Sequence, residues 1–323
     1  MQPFEHTGLD VYVCVCVSAT KPTAWETTAE GIETVSDSEI PDRFVTAVDE
    51  RRPAIVDVIR GARRRLTLSL FRCNDSEIFT ELAAAAARGV AVEVLVTSRA
   101  KGGRKKIEKL WRALEQTGAD VRAYTDPVVK YHAKYLVADD GPAIVASLNF
   151  TKKCFRKTCD ALVVTHDPVV VSGLRRLWTA DCERAGMPAN VSERLVVGPE
   201  RARQQLTALV EQAQSSIRLI DAKLSDPDLL SLLKARRADG LTVEVFAAKW
   251  LGTQKSHGKI MLVDDRMVVV GSLALAALSL DFRREVAIVV TDPAAVADAA
   301  AFFRSLREDA AAPRAAEAGE ALC

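Results

Sequence analysis

Two short stretches of the 323-residue chain carry the same reactive side chains at the same spacing: YHAKYLVADD (131–140) and SHGKIMLVDD (256–265). Each places a lysine two residues after a histidine and an aspartate five beyond the lysine: His132, Lys134, Asp139 and His257, Lys259, Asp264. In an extended segment residues i and i+2 leave the same face, so each imidazole travels with an ammonium group. Asp139 and Asp264 have the opposite parity, face away and read as structural. Fifteen residues beyond each histidine stands a serine, Ser147 and Ser272, and twenty-eight beyond it a carboxylate, Asp160 and Glu285.

These groups suit attack on phosphorus without a metal. If the two segments face each other, one cleft holds two imidazoles and two ammonium groups. Imidazole titrates near 6.5, so one ring can be neutral and nucleophilic while the other carries a proton. Lysines supply fixed charge and donors to the non-bridging oxygens of an anionic centre. A carboxylate behind each histidine would fix its tautomer. A lone histidine beside a lysine on a strand is usually a surface pair; two equivalent copies with the same downstream residues argue against that. Only four histidines occur in the chain, and two of them hold these places.

The elements that must position them are also written twice. RLTLSLF (65–71), a helical SEIFTELAAAAARG and VAVEVLV (90–96) read as strand, helix, strand. SIRLID (216–221), PDLLSLLKARRADG and LTVEVFA (241–247) repeat that order. Gly89 and Gly240 stand where a helix ends. A helical segment precedes each unit, near 44–61 and 200–214, and DALVVTHDP and EVAIVVTDP close each with a strand, a turn and a helix. The first unit carries an insertion, SRAKGGRKKIEKLWRALEQTGADVRAY, read as a basic loop, a helix and a strand at the rim of the enclosed site. The expected divisions are an extension over 1–43, a first lobe over 44–190, a second over 191–310 and a flexible tail over 311–323.

Composition narrows the class. The chain is 49% hydrophobic and 27% charged with a net charge of +1, an ordinary globular balance with no global field for a polyanion. No apolar run reaches the length of a membrane span, and VYVCVCVSA (11–19) follows acidic rather than basic residues, unlike a signal peptide. The seven cysteines form no C-x-x-C pair, which predicts reduced thiols in the cytoplasm and neither a zinc site nor any other metal. Nothing in the sequence calls for a cofactor.

The doubled H-x-K-x4-D, each copy followed by a G-S-like step, resembles the phospholipase D superfamily over roughly residues 44–310. The resemblance implies a duplicated α/β fold, with two pseudo-symmetric sandwich lobes of mixed sheets and the active site at their interface. It implies a metal-independent, two-step reaction through a phosphohistidine: His132 attacks, and His257 protonates the leaving alcohol and then activates water or a second alcohol. Lys134 and Lys259 would bind phosphoryl oxygens, Asp160 and Glu285 would stand against the histidines, and Ser147, Asn149 and Ser272 would contact substrate. The chain departs from the pattern at Ala146, where the first copy lacks the glycine before its serine, and at Ala274, where the second lacks the counterpart of Asn149.

An anionic phosphodiester is the expected partner. Basic residues gather near both motifs (Lys130, Lys152, Lys153, Arg156, Lys157, Lys249, Lys255, Arg283, Arg284) and in the insertion (Arg99, Lys101, Arg104, Lys105, Lys106). The first reading is a phospholipid hydrolase or phosphatidyl transferase of the cardiolipin synthase kind, with peripheral contact to a membrane. The alternative is a nuclease, for which stacking aromatics are sparse at 6%. A binding protein without catalysis fits less well, since both motifs keep histidine and lysine.

Overall fold

Helices begin where short polar side chains meet a run of good helix formers. Asp75 accepts from Glu77 N at 3.2 Å and Asp226 from Leu229 N at 3.2 Å; Asp167 caps with Val169 N at 2.8 Å, each the usual N-terminal solution for unpaired amides. The structure is a computed structural model and describes residues 40–99 and 104–311. The first half runs β1 (Arg43–Val45), α1 (Arg51–Gly61), β2 (Arg65–Leu70), α2 (Ser76–Ala87) and β3 (Ala91–Thr97). The insertion adds α3 (Arg104–Glu115) and β4 (Asp120–Tyr124). Then come β5 (Lys130–Tyr131), β6 (Tyr135–Ala138), β7 (Ala143–Ala146), α4 (Lys152–Lys157), β8 (Thr158–Cys159), β9 (Leu162–Thr165) and α5 (Pro168–Glu183).

The second half opens with β10 (Leu195–Gly198), α6 (Ala202–Gln212), β11 (Ser216–Asp221), α7 (Pro227–Ala238) and β12 (Thr242–Val245). It continues with β13 (Trp250–Leu251), β14 (Gln254–Ser256), β15 (Lys259–Val263) and β16 (Met267–Gly271). It ends with α8 (Ala277–Phe282), β17 (Arg283–Val290) and α9 (Pro293–Ala311).

Two mixed sheets follow one plan: β1-β9-β7-β6-β2-β3-β4 and β10-β17-β16-β15-β11-β12. The registers repeat, with Leu66 opposite Ala138 and Ile217 opposite Val263. The insertion adds β4 to the edge of the first sheet. Strand side chains alternate between two cores. Tyr135, Val137, Ile260 and Leu262 join the inner one, with α5 and α9. Leu136 and Ala138 turn to the outer core under α1 and α2, and Met261 and Val263 to that under α6 and α7. Burial on both faces explains why these strands read as unbroken apolar runs.

Some expectations shift. The helix expected from residue 44 begins at Arg51, because Arg43–Val45 pair with β9 as β1. Asp42, inside the expected extension, is buried in an ion pair with Arg194. Residues 1–39 and the tail beyond 311 lie outside the described residues.

Arg284 is not a cleft residue. Its neighbour Arg283 faces the site, so by alternation Arg284 turns into the protein. There it meets Asp181 at 2.8 Å, Glu200 at 2.6 Å and the Gly198 carbonyl at 2.8 Å. Burial pushes the Asp181 carboxyl up to about 7 despite this partner. Arg284→Met will lower stability by about 3–5 kcal/mol in urea unfolding at pH 8. The loss will be smaller at pH 5, where Asp181 can take a proton; equal losses at both pH values would contradict an unpaired carboxylate as the cause.

Candidate active site

Both motifs break the strand that they seem to continue. β5 pairs in parallel with β17 of the opposite half, Lys130 beside Arg283 and Tyr131 beside Arg284. β6 returns to its own sheet, beside β2 and β7. His132–Lys134 lie where the chain changes partner, and the His132 amide makes the last rung, to Arg284 O at 2.9 Å. The second copy does the same: Lys255 and Ser256 of β14 pair with Thr158 and Cys159 of β8, and Gly258 N reaches Cys159 O at 2.7 Å. A Cβ at Gly258 would stand 2.7 Å from that oxygen, so the close crossing excludes a side chain there. Exchanging the halves maps one strand exchange onto the other, which is two-fold pseudo-symmetry.

This exchange crosses the carboxylates. His132 Nδ1 lies 3.0 Å from Glu285 Oε2, and His257 Nδ1 lies 2.9 Å from Asp160 Oδ1. Each histidine thus takes its acceptor from the other half. A carboxylate at Nδ1 accepts the N–H there and leaves the Nε2 lone pair free in the neutral ring. The carboxylates are themselves held. Ser147 Oγ donates to Asp160 Oδ1 at 2.7 Å and Thr158 Oγ1 to Oδ2 at 2.6 Å; Ser279 Oγ donates to Glu285 Oε1 at 2.7 Å.

Charge and burial distinguish the two histidines. Lys134 Nζ donates to its neighbour's carbonyl, His132 O, at 2.6 Å and stands 3.4 Å from His132 Nε2; Lys259 Nζ donates likewise to His257 O. The Phe71 ring lies 4.4 Å from the His132 ring, whereas Ala222 holds the equivalent place beside the second motif. The His132 side chain is 14% exposed and that of His257 31%. Burial, aided by Lys134 and Lys259 and opposed by Glu285, lowers the His132 imidazole to about 3. The ring is therefore neutral at ordinary pH. Burial would raise Glu285, but the hydrogen bond with His132, the charge of Lys134 and the Ser279 hydroxyl outweigh it and hold the carboxylate below its usual range. Asp160 is likewise held below its usual range against burial, by His257 and Lys259. Burial, against the pull of Glu285, brings Lys134 down to about 7.

Comparison with known proteins gives the family. The family described as "Cardiolipin synthase, PLD-like domain" matches residues 55–181 and 244–307. The chain belongs to the phospholipase D-like family. A "Phospholipase D" of Rickettsia bellii (strain RML369-C) is 29% identical over 133 residues, 41% of this chain and 64% of that protein. A "Phospholipase D" of Rickettsia prowazekii (strain Madrid E) is 27% identical over 124 residues, 38% of this chain and 58% of that protein. The matches thus span about three-fifths of these relatives' own length.

Solved structures share this fold. Phosphatidylserine synthase of Haemophilus influenzae Rd KW20 superposes with a TM-score of 0.62 at 12% identity, covering 83% of this chain and 85% of that one. Polyphosphate kinase of Porphyromonas gingivalis gives 0.66 at 19%, covering 82% and 50%.

Not every residue expected at a phospholipase D-like site faces it. Ser147 and Ser272 are buried; beyond its bond to Asp160, Ser147 accepts from Ala161 N at 3.0 Å, and Ser272 from Val286 N at 3.1 Å. Their hydroxyls brace strands and a carboxylate rather than meet a substrate. Asn149 is buried too, and its Oδ1 has no hydrogen-bond partner. Asp139, at φ 44°, accepts the amides of Arg63, Arg64 and Arg65, and Asp264, at φ 56°, those of Gln214, Ser215 and Ser216. Both tie a hairpin to the turn before the neighbouring strand. Arg99 clamps the carbonyls of Asp126, Pro127 and Val129, and Arg104 pairs with Glu108; Lys101 lies outside the described residues.

Sequence reading missed Phe71, Thr158, Ser279, Arg51 and Asp221. Buried Arg51 donates to Thr158 O at 2.6 Å and places its charge beside Asp160. Asp221 lies opposite Lys259 in the sheet, where the first half has Leu70. Arg51 and Asp221 carry no motif, and their long-range partners are what mark them. Cys154, Asp160 and His257 bring ligand atoms within 4.8 Å of one another. Both Asp160 oxygens already accept hydrogen bonds, and the charges of Arg51 and Lys259 oppose a cation there. The arrangement favours a proton network over metal ligation. Cys73, Cys154, Cys159 and Cys182 are free thiols.

Proposed function

We propose that the chain is a metal-independent phosphodiesterase acting on phospholipid headgroups, by hydrolysis or by phosphatidyl transfer to an alcohol, in the manner of the cardiolipin synthases. The observation that carries this reading is the pair of crossed contacts, which leave two Nε2 atoms available beside two ammonium groups. His132, neutral through burial, is the nucleophile. Its Nε2 attacks phosphorus while His257, protonated at Nε2, gives that proton to the leaving alkoxide. A P–N bond forms and a P–O bond breaks. Water or an alcohol then attacks from the vacated side as His257 takes its proton, and the P–N bond breaks. Lys134 and Lys259 neutralise the phosphoryl oxygens throughout, the work a metal ion would otherwise do.

The names of the relatives and the family description support a lipid substrate. A nuclease is the second reading, favoured by the exposed Lys152, Lys153, Arg156 and Lys157 of α4. Incubation in EDTA, in parallel, with phosphatidylglycerol–cardiolipin vesicles and with single-stranded DNA separates the two. Headgroup release or exchange with intact DNA is expected. Cleaved DNA with intact lipid would install the nuclease, and strict dependence on added metal would overturn the mechanism.

A further inference from the structure

α4 runs into β8 and α8 into β17, the strands that pair with the segments leading to the second and first motifs, so pseudo-symmetry gives the two helices equivalent places beside the site; yet their surfaces differ in kind. On α4, Lys153 and Lys157 are exposed one turn apart. Their counterparts on α8 are Leu278, 48% exposed, and Phe282, 50% exposed. Spacing of i and i+4 puts each pair on one helix face. Leu280, between the apolar pair, is fully buried, so α8 has a satisfied inner face and a second apolar face turned to water.

Two more apolar side chains stand on this rim. β17 starts beside β5 with Arg283 opposite Lys130, so Phe282 emerges next to the loop that carries Val128, 65% exposed. That loop is fastened. Asp126 Oδ1 accepts from Val128 N at 2.8 Å and Val129 N at 2.7 Å, and Arg99 donates to Pro127 O at 2.8 Å. Trp250, 49% exposed, pairs with Lys255, which is two residues before His257 and on its side of the strand. Thus four of the six large apolar side chains most exposed among the described residues lie on elements next to the two motif strands: Leu278, Phe282 and Val128 beside the first, and Trp250 with the α4 lysines beside the second.

We infer that this rim docks on an anionic phospholipid bilayer, Leu278, Phe282, Val128 and Trp250 entering the headgroup–acyl boundary while Lys153 and Lys157 meet lipid phosphates. The inference rests on the phospholipid reading above and names the surface that would deliver that substrate. Charge complementarity selects this occupant: apolar side chains beside lysines match an interface that is apolar beneath and anionic above. Leu278 and Val128 are aliphatic and offer no plane on which a base could stack; Phe282 and Trp250 do offer one, and the single-stranded DNA arm of the test below separates the two occupants. The lipid would reach the cleft with its headgroup first, between the two helices.

The test is co-sedimentation of the full chain with sucrose-loaded vesicles, a readout that needs no turnover. Wild-type protein is expected to pellet with phosphatidylglycerol–phosphatidylcholine vesicles, less so at high salt, and to stay in solution with phosphatidylcholine alone. The double variant Leu278→Ser/Phe282→Ser should bind about tenfold more weakly, while Val169→Ser, an exposed valine on α5, should bind as wild type does. Equal binding by the double variant, or wild type that ignores anionic vesicles, overturns the proposal. So does a double variant that loses affinity for single-stranded DNA and not for vesicles. Hydrolysis of a monomeric short-chain phosphatidylglycerol keeps the two readings apart. Wild type that hydrolyses it without binding vesicles sinks the docking surface alone, whereas wild type that binds vesicles and cleaves neither lipid sinks the phospholipid reading and leaves the surface standing.

Discussion

Alanine at position 132 will reduce turnover of a phosphodiester substrate by at least about 10⁴-fold, because in the proposed mechanism it removes the nitrogen that bonds to phosphorus. The contrast with His257→Ala makes the test specific. With an alkyl leaving group both variants should be inactive. With a p-nitrophenyl phosphodiester, whose leaving group needs no proton, His257→Ala should still complete the first step and then stall for want of a base. A covalent phosphoryl adduct, seen as a mass increase after alkaline quench and mapped to His132, is the expected product. His132→Ala should give none. An adduct on His257 instead would reverse the roles, and no adduct in either variant would remove the two-step mechanism.

The second large effect belongs to Glu285→Gln, which will lower kcat by about 10²–10⁴-fold with a well-folded protein. The amide keeps the shape but not the charge that holds the His132 proton on Nδ1. Its pH profile separates positioning from bulk structure. In wild type, burial brings Lys134 to about 7 and Glu285 opposes that fall. In the proposed mechanism Lys134 binds a phosphoryl oxygen only when charged, so kcat/KM in wild type should decline as pH rises through about 7. Without the Glu285 charge Lys134 loses its proton more readily, and the decline should begin at lower pH. An unshifted alkaline limb would show that Glu285 does not act on Lys134.

The repeat, the crossover elements and the paired motifs were legible because they depend on local rules. Alternation marks strands, glycine past a helix end marks a stop, and two copies at equal spacing rule out coincidence. Spacing could not reveal which carboxylate serves which histidine. Asp160 and Glu285 each follow their own histidine by the same interval, and only the exchange of β5 and β14 between halves assigns them to the opposite one. Ser147 looked like a phosphate contact because its place in the motif is fixed, yet that place is equally required to brace Asp160. Arg284 read as a cleft residue by proximity in sequence, although strand alternation already opposed it to Arg283. Phe71 and Asp221 were invisible because the repeat hides its exceptions: each stands where the other half has a different residue.

The exchange of short strands has a consequence for how such a protein fails. Neither repeat owns a finished histidine: separated, each would keep an imidazole, an ammonium group and a carboxylate that belongs to its absent twin. Parting of the two sheets, by heat, by denaturant or by a substitution in their shared core, therefore strips orientation from both rings in a single event. Chemical competence reports on assembly of the whole, and a damaged molecule loses both oriented rings together rather than lingering with one of them in place.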